Sequence, residues 1–226
     1  MLKNLTKLGL LSFLLSTLGA HASLAQSFEP KIGLHAQSVV GKNACTSEAP
    51  TIGNCPDAST PSEALVVNWP ADGTPTHVYA ILTNIPLSGS AGAVFGIRYE
   101  SAVADTWTNC GDLDFPGNNF PASGGGNVVT FQECQDSVID EGAGLLVLGF
   151  FYMTSYANDL VEVTPRLFAP NQDLAWANCN AAEIAIPYPS GTGTLGFGKE
   201  PGQPPCSIAD PVEPSTWGGI KRNLDQ

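Results

Sequence analysis

"THVYAILTNIPLSGSAGAVFGIRYE", residues Thr76 to Glu100, is the stretch on which the fold turns. In its first half Val78, Ala80 and Leu82 fall on one side of an extended chain, with His77, Tyr79, Ile81 and Thr83 on the other. A period of two is that of a strand, whose successive side chains point to opposite faces. The turn-forming "PLSGS" then leads into a second β-branched and aromatic run, Gly92–Glu100.

The same grammar recurs along the chain. Short apolar runs at Ala64–Trp69, Asn127–Gln132, Gly144–Tyr156, Leu160–Phe168, Ala182–Tyr188 and Gly193–Gly198 lie between turn clusters. The 24 glycines and 18 prolines are spread throughout, which argues against long helices. Many short strands with no helical period between them predict an all-β sandwich of immunoglobulin-like type. Leu145–Met153 is apolar at both parities, so it should be a central strand covered on both faces.

The N-terminal "MLKNLTKLGLLSFLLSTLGAHASLAQS" has basic Lys3 and Lys7, an apolar run from Leu8 to Leu18, and small residues at Ala20, Ala22 and Ala25. That is the layout of a secretory signal over residues 1–25, cleaved after Ala22 or Ala25. The run is shorter than the roughly 20 residues a membrane helix needs, so no membrane insertion is expected after cleavage. The chain is expected to be secreted or held at the cell surface, with one sandwich domain over residues 26–206. Residues 207–226 form a proline-rich linker and a short tail.

Twenty-one acids against nine bases give a formal charge of −12. Loss of Lys3 and Lys7 makes the mature chain more acidic still, which excludes nucleic acid and anionic membranes as partners. Six cysteines in an exported chain predict three disulfides. No C-x-x-C pair is present, which excludes a zinc framework. Sequential pairing, Cys45–Cys55, Cys110–Cys134 and Cys179–Cys206, would close the segments with the least apolar material.

No stretch supplies a catalytic signature or calls for a cofactor. His35 and His77 are expected at the surface, no G-x-S-x-G elbow accompanies them, and the acids cluster in turns. "NCGDLDFPGNNFPASGGGN", Asn109–Asn127, sets Asp112 and Asp114 at the first and third positions of a calcium loop, with Gly117 at the sixth. Pro116 and Ser123 stand where the fifth and twelfth ligands belong, so a crossover loop stapled by Cys110 and Cys134 is the expected reading. Trp69, Trp107 and Trp176, read at strand ends or turns, are candidates for stacking on sugar rings. In the tail "PSTWGGIKRNLDQ", Ser215 or Thr216 can cap a short helix whose Trp217, Ile220 and Leu224 share one face as a docking stripe.

From His77 to Cys110, and again at "GAGLLVLGFFYMTSY", the chain resembles a cohesin-like sandwich over roughly Thr76 to Val163. Its early cysteine pair, "VFGIRY", "PASGGGN" and the terminal Thr216, Trp217, Gly218, Ile220 and Lys221 are similar to a set of exported bacterial proteins without an assigned activity. These resemblances imply export and a sandwich fold. The expected function is a non-catalytic secreted or cell-surface interaction or structural module with an extracellular protein partner. The alternative is carbohydrate binding.

Overall fold

Both halves of the opening stretch are strands, and they belong to different sheets. The structure, a computed structural model, describes residues 30–50, 65–86, 88–117, 119–135, 138–139, 143–168 and 171–205. In chain order its strands are β1 (Lys31–Ser38), β2 (Asn68–Trp69), β3 (Thr76–Ile85), β4 (Ser90–Arg98) and β5 (Val103–Asn109). There follow β6 (Leu113–Asp114), β7 (Gly126–Gln135), β8 (Val138–Ile139), β9 (Ala143–Thr154) and β10 (Asp159–Thr164). The last are β11 (Arg166–Phe168), β12 (Asn171–Asp173), β13 (Ala175–Asn178), β14 (Glu183–Ala185) and β15 (Thr194–Phe197). The described residues contain no helix.

The first sheet runs β1-β3-β9-β5, with β8 beside the start of β9. The second is built on β4, with β7 and then β6 on one side. On its other side β4 pairs with β13 through its first half and with β10 through its second, and the sheet continues to β15 and β2. Pro165 divides the apolar run Leu160–Phe168 into β10 and β11, since proline cannot donate to a ladder. The β11–β12 hairpin leaves the sheet there, and β13 returns to β4.

The predicted parity holds. Val78, Ala80 and Leu82 enter the core between the sheets, with Leu148, Phe151 and Met153 of β9 and Phe95, Ile97, Val129, Val161 and Phe197 of the second sheet. The other face of β3 and β9 forms a second cluster, in which Ala44, Leu65 and Val67 cover Tyr79, Ile81 and Phe150. β9 is therefore central, packed into the core on one face and partly covered on the other.

The disulfides differ from sequential pairing. Cys45 bonds Cys110, and Cys134 bonds Cys179. These bonds exclude Cys45–Cys55, Cys110–Cys134 and Cys179–Cys206; Cys55 and Cys206 lie outside the described residues. Topology, not sequence proximity, brings the partners together. Ser90 of β4 pairs with Gln135 on one side and Asn178 on the other, so the adjacent Cys134 and Cys179 meet beside it. Gly89 is needed at that junction: it holds a positive φ of 68°, and a Cβ there would stand 2.7 Å from Cys134 Sγ. Cys45 lies in the segment crossing the outer face of the first sheet, where it reaches Cys110 just after β5.

Candidate functional site

The second sheet turns one face to the core and one outward, and register assigns each side chain. Leu113 of β6 lies opposite Thr130 of β7, and the amide of Phe115 donates to the Val128 carbonyl at 2.9 Å. Val128 lies opposite Val94 of β4, and Thr130 opposite Gly92. Cross-strand neighbours share a face. Leu113, Phe115, Val128, Thr130 and Val94 therefore look outward, while Asn127, Val129, Ala93 and Phe95 look in.

Two of these large apolar side chains are poorly covered: Leu113 is 61% exposed and Phe115 54%. The β11–β12 hairpin beside them carries Leu167, which is 60% exposed. The hairpin is held there by Arg166, whose Nη2 donates to the Phe115 carbonyl at 3.3 Å. The Arg166 stem lies on Gly126, where a Cβ would come within 2.5 Å of Arg166 Cγ. A sheet face with two exposed large apolar side chains can bury area against another surface.

The calcium candidates are engaged with the protein. Asp112 Oδ2 accepts the Gln132 amide at 2.7 Å. Asp114 Oδ2 accepts the Trp107 indole N–H at 3.2 Å and the Asn127 side-chain amide at 3.1 Å. Asp114 thus locks an inward tryptophan and a fully buried asparagine at the sandwich edge. The other acid-rich recess, lined by Glu100, Asp159, Glu162 and Glu200 beside Arg98, is likewise structural. Asp159 accepts backbone amides of Glu100, Ser101, Ala102 and Leu160 at 2.6 to 3.2 Å, and Glu162 pairs with Arg98. Among the described residues no three His, Cys, Asp or Glu side chains gather as a metal site.

The tryptophans pack against the core to different degrees. Trp176 is 3% exposed, because its parity on β13 points it into the core. Trp107 packs among Phe95, Phe120 and Phe151 at centroid distances of 4.7 to 5.8 Å. Trp69 is half-buried against the same core, and its indole nitrogen is buried without a partner. Trp217, Ile220 and Leu224 lie outside the described residues.

The histidines are corrected too: both are buried, since the 39–50 and 65–67 segments fold over the strands that carry them. His35 Nδ1 accepts the Val66 amide at 3.0 Å, and burial pushes this imidazole down to about 4. Burial lowers His77 as well. Periodicity could have found the exposed face, since Leu113 and Phe115 alternate with aspartate. The two residues of β6 were too short a run to read as a strand.

No protein-family model matches this chain, and no curated protein sequence does. Solved structures do show a likeness. The sixth cohesin of Acetivibrio cellulolyticus scaffoldin B, in complex with a mutant Cel5 dockerin, is 8% identical at a TM-score of 0.43, over 76% of this chain and 99% of that one. A cohesin module from a Clostridium perfringens family 33 glycoside hydrolase is 9% identical at 0.39, over 59% and 92%. The OlpC cohesin of Clostridium thermocellum, in a cohesin–dockerin complex, is 8% identical at 0.40, over 74% and 94%.

Proposed function

We propose that this chain is a non-catalytic, exported interaction module that docks a protein partner on the outer face of its second sheet. One observation carries the reading: Leu113 and Phe115, each more than half exposed, share the outer face of one sheet on a strongly acidic protein, with the exposed Leu167 on the adjoining hairpin. Large exposed apolar patches mark interaction surfaces, and aromatic anchors dominate their energetics. Export rests on the leader at residues 1–25 and is tested by N-terminal sequencing of the secreted protein, which should begin at Ser23 or Gln26. The tail stripe of Trp217, Ile220 and Leu224 is proposed as a second docking element; deleting residues 215–226 should release the protein from its cellular location.

The test of the face is a photo-crosslinker placed at Leu113 of the mature protein and exposed to native culture fluid. A defined adduct should form, and it should disappear in Phe115→Glu/Leu167→Glu at an unchanged melting temperature. An adduct pattern indifferent to both substitutions would sink the reading.

A further inference from the structure

The outer face of the first sheet carries two rows of side chains that cross all four of its long strands. One row is His35, Tyr79, Phe150 and Thr108; the next is Gln37, His77, Tyr152 and Thr106. The covering segment closes the β1 and β3 end of these rows. It is tied down by Tyr79 Oη donating to the Ala44 carbonyl at 3.2 Å, by Gln37 Nε2 donating to the Glu48 carbonyl at 3.0 Å, and by Cys45–Cys110. The β9 and β5 end stays open. What results is a pocket of about 490 Å³, floored by His77, Phe150 and Tyr152 and walled by Thr106 and Thr108 on one side and residues 40–46 on the other. That volume is within the usual range for small-molecule sites.

We propose that this pocket binds a neutral saccharide, through the juxtaposition of the Phe150–His77–Tyr152 ring floor with the hydroxyls of Thr106 and Thr108 and the amide of Asn43. His77 is 4% exposed, and its Nδ1 is buried with no partner, so Nε2 is the nitrogen through which the ring meets a ligand. Its ring lies 4.3 Å from that of Phe150. Tyr152, the half-buried ring of the three, offers a face to the C–H side of a sugar ring, and hydroxyls, an amide and an imidazole take its edge. Ligand charge is set by the surroundings. No carboxylate stands among the described lining residues, Lys42 is the one cation there, and His77 is kept neutral by burial. The chain's −12 charge repels anions at long range, which leaves a neutral polyol as the best-matched ligand. This site is on the sheet opposite the proposed docking face and does not depend on it.

The test titrates the mature protein with cellobiose, mannobiose and lactose, with glucuronic acid as the charged comparator, following both imidazoles by NMR. His77 should shift with at least one disaccharide while His35, closed under Val66, stays in place. Thr108→Val, isosteric and on an exposed edge, should weaken that binding about tenfold, as expected for one lost ligand hydrogen bond. Phe115→Glu should leave it unchanged. The proposal is overturned if no disaccharide moves His77, if Thr106→Val and Thr108→Val bind as the parent does, or if glucuronic acid binds more tightly than the neutral sugars.

Discussion

The two sheets have outer faces of opposite fate. On the first, Tyr79 and Ile81 are fully buried and Phe150 is 8% exposed. On the second, Leu113 and Phe115 are more than half exposed. Strand composition does not cause the difference, since both faces carry aromatic and aliphatic side chains. Chain connection does. Residues 39–50 and 65–67 cross the first sheet and are pinned there, whereas among the described residues the second sheet receives the β11–β12 hairpin. A sheet face is closed when a connection is long enough to cross it and anchored well enough to stay.

The strongest way to break this contrast is to release the anchor. Cys45 and Cys110 are 65 residues apart, and a crosslink over such a loop contributes about 4 kcal/mol by restricting the unfolded chain. Cys45→Ala/Cys110→Ala should lose about that much in urea denaturation. A loss under about 1 kcal/mol would mean that the cover holds itself. With four cysteines engaged, Cys55 and Cys206 have only each other, so a non-reducing peptide map should find them linked and show no free thiol.

Acid loosens the same face. His35 has a folded pKa of about 4 against an ordinary 6.5, so between these values the unfolded chain binds a proton that the folded chain does not. Its contribution is complete above about pH 6.5, falls as pH drops, and is gone below about 4, roughly 3 kcal/mol in all. His77 is lowered in the same direction and steepens the fall. His35→Asn, which can still accept the Val66 amide, should flatten the pH dependence of urea midpoints. An unaltered slope would place the acid sensitivity elsewhere. Tyr79→Phe is a smaller probe: it loses the bond to the Ala44 carbonyl and should cost about 1 kcal/mol.

The legibility of these faces in the sequence differed for physical reasons. β3 and β9 could be read because each buries a full face, and burial imposes a period of two or an unbroken apolar run. β1 and β5 could not: "KIGLHAQS" and "VADTWTN" mix polar residues into positions that the cover or the pocket later accommodates. The disulfides were illegible because their geometry is set by which strands flank β4 and by what crosses the first sheet. Trp107 and Trp176 were misplaced because parity along unread strands, not proximity to turns, decides which way an indole points.

The smallest expected effect sharpens the comparison most. A glutamate at Phe150 would bury a charge against Tyr79 and His77 and should prevent folding, because an unpaired buried carboxylate costs several kcal/mol. At Phe115, which is 54% exposed, the same glutamate can reach water, and the amide that donates to Val128 is backbone and survives. Phe115→Glu should therefore stay within about 0.5 kcal/mol of the parent in urea. The pair place the same charge on the outer faces of the two sheets, so the difference between their effects reports how much more the first face is covered. If Phe115→Glu instead destabilises by about 2 kcal/mol or more, that side chain is packing material, and the second sheet's outer face is closed by its own hairpin and has no room for a partner.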